Sequence, residues 1–262
     1  MKVSVVMATY NRRHLLWRSL ECYARQNMDA GDFELIVLDD WSSDGTDALL
    51  QEWAQRLNII AIRPPYKTPG TWRSEASILN IGLRASQGQL VIATHPEILP
   101  GKNSLVHLWD HREEKTYHCC KCFFLTPENQ TLIDTVDWKA DPWNITTLPG
   151  FWNDDSPVIT GSSDYTHNAT MRHKTWESWM FGGGKRSFWS IFGGFYPFKT
   201  WGSIDVWFWE TRKHYKIPNK TELDPTTVVY HQNHDTDGTT YRDMAACLAA
   251  LKGIPYQANE LW

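Results

Sequence analysis

Three short polar clusters stand where apolar runs give out, and their side chains could do chemistry. They are Ala8-Thr9-Tyr10-Asn11, Asp39-Asp40 and His95-Pro96-Glu97. A carboxylate such as Asp39 can accept hydrogen bonds from the N–H groups of a ligand, or it can cap the turn that follows it. For Asp40 the capping role is the expectation. His95 and Glu97, two residues apart, offer an imidazole nitrogen and a carboxylate oxygen, a pair able to hold a divalent cation. The alternative is that His95 merely ends a strand. Two further histidines follow an apolar run in Val228-Val229-Tyr230-His231-Gln232-Asn233-His234. His118, Cys119, Cys120 and Cys122 form a single clump without the second Cys/His pair of a zinc module, so these cysteines are read as reduced thiols on or beside a strand.

The elements that must position these groups are legible over the first hundred residues. Residues 3–7 are a β-branched run that predicts a buried strand. Asn11 is placed to cap the helix that follows, where Leu15, Leu16, Leu20, Tyr23 and Ala24 recur at helical spacing. Residues 33–38 predict a second strand ending at Asp39-Asp40, and Ser42-Ser43-Asp44-Gly45 a turn and cap. Leu49, Leu50, Trp53 and Leu57 mark a second helix. A short strand over 59–62, a helix over 74–85 and a strand over 89–94 complete the series. Strands alternating with helices through short links predict a parallel sheet. Ligands bind such sheets at the carboxyl ends of the strands, so the three polar clusters should converge there. Beyond Pro100 the pattern degrades into short strands and loops rich in Trp, Gly, Asp and Asn. Gly182-Gly183-Gly184 and Gly193-Gly194 read as flexible points. A C-terminal helix is expected over 241–251, stopped by Gly253 and Pro255.

Composition sets outer limits. The 262 residues are 42% hydrophobic and 21% charged, with a net charge of −4, an ordinary globular balance. No excess of basic residues advertises a polyanion, so nucleic acid is possible as a partner but not favoured. No run approaches the roughly 20 apolar residues of a membrane span, and the start lacks the apolar core of a signal peptide. The expectation is a cytoplasmic protein without a transmembrane segment, in which the sequon Asn144-Ile145-Thr146 carries no meaning. Fifteen tryptophans are the compositional oddity. Most should be core, and a few could form a stacking platform for sugar or base rings. Without an internal repeat or a low-complexity linker, the chain reads as one domain over 1–262. Residues 1–100 form its first half, and 101–262 form the second half with the C-terminal helix.

The order and spacing of several motifs resemble family-2 glycosyltransferases, the inverting nucleotide-sugar transferases of GT-A fold. They are Val3-Ser4-Val5-Val6-Met7-Ala8-Thr9-Tyr10-Asn11, Leu38-Asp39-Asp40-Trp41-Ser42-Ser43-Asp44-Gly45-Thr46 and Asn80-Ile81-Gly82-Leu83-Arg84-Ala85-Ser86-Gln87-Gly88. Further on, Phe192-Gly193-Gly194-Phe195 and Trp201-Gly202-Ser203-Ile204-Asp205 are similar to the family's acceptor-side segment. The resemblance is specific over 1–100, fair over 190–212 and poor elsewhere. It implies an α/β fold: a Rossmann-like, mostly parallel central sheet flanked by helices, with an irregular acceptor-side half. It also implies transfer of a sugar from a nucleotide-diphospho-sugar, a UDP-sugar, to a hydroxyl of a saccharide, glycolipid or other glycoconjugate. On it, Asp39 binds the base, Ala8 and Tyr10 approach it by backbone contact and stacking, and Asp205 is the general base that deprotonates the acceptor.

Two departures from the family pattern matter. His95-Pro96-Glu97 stands where the family has Asp-x-Asp, which makes His95 and Glu97 the metal-binding pair, for Mn²⁺ or Mg²⁺. A third ligand from a histidine near the family's C-terminus would be His231, with His234 placed to contact phosphate. Ile204 replaces the Glu of the Glu-Asp pair, leaving Asp205 beside apolar neighbours that would raise its basicity. Where the family commonly has Arg-Asn before Gly88, this chain has Leu79-Asn80, so Arg73 or Lys67 must supply a donor-binding cation. Residues between Trp143 and Trp189, among them Phe151, Trp152, Asp154, Asp155, Asp164, Tyr165 and His167, are the expected acceptor cleft. Three other functions compete. One is transfer to hydroxymethylated bases in (viral) DNA, and another is a degenerate, non-catalytic nucleotide- or glycan-binding protein. The third is nucleotidyl transfer, whose usual Gly-rich phosphate loop is missing at Ala8-Thr9-Tyr10-Asn11-Arg12-Arg13.

Overall fold

The computed structural model of the chain describes residues 1–66, 74–148, 151, 159–160, 171–172, 181–196, 204, 207–208, 211–212, 215–217, 219–223 and 226–234. The first half runs β1 (Val3–Thr9), α1 (Arg13–Tyr23), β2 (Phe33–Asp39), α2 (Thr46–Trp53), β3 (Ile59–Ile62), α3 (Glu75–Ala85) and β4 (Leu90–Thr94). Strands β1 to β4 are mutually parallel in the order β3-β2-β1-β4, as the strand–helix alternation predicts. Every residue of β1, β2 and β4 is buried, because helices cover both faces. Alternate residues feed two cores. Val6, Ala8, Ile36, Leu38, Val91 and Ala93 face one, and Val5, Met7, Leu35, Val37, Leu90 and Ile92 the other. Helix α3 presses onto the first of these faces. A Cβ on Gly82 would stand 2.4 Å from Val6 Cγ1 and 2.6 Å from Leu38 Cδ1, so only glycine lets the helix settle this close.

The second half extends that sheet and adds another. Its elements are β5 (Ile98–Leu99), α4 (Ser104–Asp110), β6 (Tyr117–Cys120), β7 (Cys122–Leu125), α5 (Pro127–Ile133), a 3-10 turn over Pro142–Thr147, β8 (Ile159–Thr160), β9 (Met171–Arg172), β10 (Phe181–Lys185), α6 (Arg186–Phe192), β11 (Asn219–Leu223) and β12 (Val229–His231). Strand β10 joins β4 antiparallel and continues the large sheet through β6, β11 and β8, while β5-β12-β7-β9 form a second, four-stranded sheet. The cysteines of the His118 clump lie on β6 and β7 as buried free thiols, as expected.

Two local expectations are corrected. Asn11 does not cap α1; no side-chain cap bond is made from the residue preceding the helix. Instead Asp44, from the neighbouring loop, accepts from the Arg13 amide at 2.8 Å and from the Thr46 amide at 3.1 Å, so one carboxylate serves the starts of both α1 and α2. Asn11 bonds across to the same loop through the Ser43 amide. Gly182, Gly183 and Gly184 are not flexible points but strand residues of β10. A Cβ would meet Cys119 Cβ at 2.7 Å from Gly182, the Val91 carbonyl oxygen at 2.4 Å from Gly183 and the Phe188 ring at 2.6 Å from Gly184. Gly193 and Gly194 do need positive φ, 80° at each, to turn the chain out of α6. Among the described tryptophans, Trp53, Trp138, Trp189 and Trp207 are buried, Trp17, Trp109 and Trp143 are half-buried, and Trp41 is exposed. The expected C-terminal helix lies outside the described residues.

Candidate functional site

Strand β1 lies between β2 and β4, with Thr9 opposite Asp39 and Met7 opposite Thr94. The residues that leave the carboxyl ends of these strands therefore sit side by side, with Asp39 and His95 about 10 Å apart across two strand spacings. This is the convergence predicted for the three polar clusters. Ala8 is buried at the end of β1 and Tyr10, just beyond it, is 53% exposed.

Asp39 is 4% exposed and holds two bonds. Its Oδ1 accepts from the Ser42 amide at 2.9 Å, which is the turn-capping bond expected of Asp40. Its Oδ2 accepts from Arg63 Nη2 at 2.8 Å. That hydrogen bond, against some burial, raises the Arg63 guanidinium above its ordinary range. Arg63, just past β3, has no periodicity or motif to mark it, and only its place at a third strand end could have pointed to it. The Asp40 amide donates to the Thr9 carbonyl and ties the two strand ends together. Beside Asp39 an aromatic corner is built on Trp41. Its φ is +67°, its indole N–H donates to the Pro64 carbonyl at 3.0 Å, and its ring meets Tyr66 edge-on at 4.9 Å. The Arg63 guanidinium lies 5.1 Å from the same ring.

The second group forms around Glu97. Ser19 Oγ of α1 lies within hydrogen-bond distance of the Pro96 and Ile98 carbonyls, which fixes the turn after β4 against the helix. Strand β12 then pairs antiparallel with β5, with His231 opposite Ile98, so His231 arrives next to Glu97 from the far end of the chain. Glu97 is buried. Its Oε1 lies 3.4 Å from His231 Nε2, 3.6 Å from His234 Nε2 and 3.7 Å from His95 Nδ1. Burial pushes this carboxyl up, but the His231 and His234 rings and the charge of His95 outweigh it and hold it well below the usual carboxylate range. His231 Nδ1 lies 2.8 Å from the Gln232 carbonyl, which only accepts, so Nδ1 carries the hydrogen and Nε2 is the atom turned to Glu97. Phe124 stacks on the His231 ring at 4.5 Å and 23°.

Gln232, fully buried between the two histidines, is the hub of this turn. Its amide nitrogen donates to the carbonyls of Leu15 at 3.0 Å and Glu97 at 3.3 Å, and its side-chain oxygen accepts from Arg18 at 3.2 Å. Arg18 also pairs with Asp134 and lies over the Trp17 ring. Among the described residues, Glu97, His231 and His234 are the set of three whose ligand atoms all lie within 4.8 Å of one another. Two donors about 2.1 Å from one ion, at tetrahedral or octahedral angles, stand roughly 3.0–3.5 Å apart, close to the separations of Glu97 from the two histidines. His95 stands to one side, with its Nδ1 3.3 Å from Glu75. The structure thus unites Glu97 with His231, as expected, and adds His234, which the sequence reading assigns to phosphate.

Asp205, Arg73 and Lys67 lie outside the described residues. Two residues of the expected acceptor cleft are core instead. Phe151 packs on Tyr230 at 5.2 Å, and Trp189 is fully buried with its indole N–H on the Val91 carbonyl.

Residues 4–124 match the family model for glycosyl transferase family 2. Those residues, a little under half of the chain, are similar to glycosyl transferase family 2. Over 105 residues, 40% of its length, it is 26% identical to the Staphylococcus aureus poly(ribitol-phosphate) beta-N-acetylglucosaminyltransferase TarS. It is 30% identical over 125 residues, 47% of its length, to the uncharacterized glycosyltransferase YfnE of Bacillus subtilis. The matched segments span 18% and 30% of those relatives' lengths, less than a third of either. A crystal structure of S. aureus TarS 1–349 in complex with UDP-GlcNAc superimposes with a TM-score of 0.63 at 16% identity, covering 96% of this chain and 65% of that one. The mannosyltransferase PcManGT from Pyrobaculum calidifontis, in complex with GDP-Man and Mn²⁺, gives 0.54 at 19% identity, covering 90% and 58%. The chain has the GT-A fold, with its strand-end cluster at the edge where the parallel sheet meets the second half.

Proposed function

We propose that this chain is an inverting glycosyltransferase that moves a sugar from a nucleotide-diphospho-sugar, a UDP-sugar, to a hydroxyl of a saccharide or other glycoconjugate, with a divalent cation. The observation that carries this reading is the juxtaposition of the buried Asp39 carboxylate and the Glu97–His231–His234 cluster at strand ends on either side of β1, in a domain whose first half resembles family 2. The roughly 10 Å between those strand ends suits a nucleoside at one and a diphosphate at the other. UDP is preferred because TarS, the relative with the higher TM-score, is a UDP-GlcNAc complex.

The residues divide the work. Asp39, held by Ser42 and Arg63, keeps carboxylate lone pairs to accept from a base N–H. Ala8 lets the backbone of β1 approach the base, and the exposed Tyr10 ring offers a stacking face. Arg73 adds positive charge toward the donor. Glu97 and His231, with His234 beside them and His95 behind, would hold the cation. When bound, the cation supplies positive charge to the departing diphosphate. Asp205 takes the proton of the acceptor hydroxyl as its oxygen bonds to the anomeric carbon from the far side. The bond from that carbon to the diphosphate breaks, and its electron pair leaves with the nucleotide. Ile204 and Trp207, both buried, flank Asp205 in sequence with apolar surface.

The test is nucleotide release from a panel of UDP-, GDP-, CMP- and dTDP-sugars with Mn²⁺ or EDTA, alongside Glu97→Ala, Asp205→Asn and Arg73→Ala. Metal-dependent release from one donor is expected, lost in the first two variants, with weaker donor binding in the third. Absence of both release and nucleotide binding would overturn the assignment.

A further inference from the structure

The donor atoms around Glu97 say which cation belongs there. One buried carboxylate oxygen faces the Nε2 atoms of His231 and His234 at 3.4 and 3.6 Å, with His95 Nδ1 at 3.7 Å and turned also to Glu75. These separations exceed the roughly 2.7–2.9 Å of a charge-assisted N–H···O bond, and they lie close to the roughly 3.0–3.5 Å between two ligands of one ion. The His231 ring is not free to choose. Its Nδ1–H is committed to the Gln232 carbonyl, Phe124 stacks on its face, and Nε2 is left pointing at the carboxylate. His234 stacks on His231 with ring centroids 5.4 Å apart, close to parallel at 29°, and so presents its own Nε2 to the same oxygen. Gln232 bonds to Leu15, Glu97 and Arg18 and locks the turn that spaces the two rings.

We infer that Glu97, His231 and His234 form a two-nitrogen, one-oxygen site that selects transition-series cations (Mn²⁺, Co²⁺, Zn²⁺) and discriminates against Mg²⁺. The inference rests on the metal-dependent reading above and narrows it. Mg²⁺ is a hard ion that keeps oxygen ligands and its waters, so two imidazoles are poor replacements. For the transition ions imidazole is a good ligand, and affinity rises from Mn²⁺ through Co²⁺. The three protein ligands leave positions open for ligand oxygens, as a cation that must meet a diphosphate requires. His234 is thereby a metal ligand rather than a phosphate contact.

The experiment is calorimetric titration of the chelator-treated full chain with MgCl₂, MnCl₂, CoCl₂ and ZnCl₂ in turn, without nucleotide. The visible absorption of the Co²⁺ form serves as a second readout. Co²⁺ is expected to bind at least 100-fold more tightly than Mg²⁺, with Mn²⁺ between them. His234→Ala and Glu97→Gln should each weaken Co²⁺ binding tenfold or more and shift its absorption bands, while circular dichroism confirms folding. Equal affinity for Mg²⁺ and Co²⁺ overturns the selectivity. Absence of Co²⁺ binding, or Co²⁺ binding and bands unmoved by either variant, overturns the site and leaves a cluster held by protons alone. Nucleotide release in EDTA would leave the transferase reading standing while removing the cation from it. Tight Co²⁺ binding with no donor turnover would do the reverse.

Discussion

Asp39 is bound on both carboxylate oxygens by its own protein, and this decides what it can still do. A carboxylate offers about four acceptor positions, of which Ser42 and Arg63 take two. The remaining lone pairs are fixed in direction before any ligand arrives. Asp39→Asn preserves the shape and the Ser42 bond but sets an amide N–H₂ or a neutral oxygen against Arg63. A hydrogen bond to a charged acceptor contributes about 1.5–3 kcal/mol, so affinity for UDP should fall about 10- to 100-fold by calorimetry. Unchanged affinity would exclude Asp39 from the base site. At this scale the sequence was informative about residue type and poor about partners. The places of Asp39 and Glu97 at strand ends were legible from the alternation of strands and helices. Arg63 was not, since a lone basic residue past a strand carries no spacing signal. The pairing of His234 with Glu97 was equally hidden, because it depends on the register of β12 against β5.

The elements of the first half could be read because their burial is periodic and local. Strands β1, β2 and β4 are apolar on both faces, and α1 to α3 carry stripes at helical spacing. The helix cap failed for a physical reason: the group that serves Arg13 comes from Asp44, 31 residues away, and no local pattern announces it. The glycine run failed for another. Glycine supplies either freedom or room, and sequence does not distinguish them. In β10 it supplies room between β4 and β6. Gly183→Ala puts a methyl where the Val91 carbonyl oxygen stands 2.4 Å away, backbone that cannot step aside without breaking the ladder. Overpacking of this kind should cost about 2–3 kcal/mol in urea unfolding, with the slope unchanged. A loss under 0.5 kcal/mol would restore the flexible reading.

At the scale of the whole molecule, the candidate cation site lies where two sheets are joined. The chain leaves the large sheet at Thr94, passes Glu97 and enters the second sheet at Ile98, and β12 returns from the other end of the sequence to close the junction. Helix α1 is fastened to the same point by Ser19, Leu15 and Arg18. A cation bound by Glu97, His231 and His234 therefore joins residues more than 130 positions apart, and binding must stabilise the folded chain as a unit. At 100 times its dissociation constant a ligand of the native state adds about 2.7 kcal/mol. For a chain of this size that raises the melting temperature by roughly 5–10 °C. Co²⁺ or Mn²⁺ should produce this shift and Mg²⁺ at the same concentration should not. Gln232→Leu keeps the volume but strips the amide from Leu15, Glu97 and Arg18, at about 1–3 kcal/mol for each buried group left unsatisfied. It should lower the melting temperature without cation and also shrink the cation-dependent rise, since the two histidines lose their spacing. A lower starting temperature with an undiminished rise would make Gln232 a fold residue only, and separate the stability of the junction from the affinity of the site.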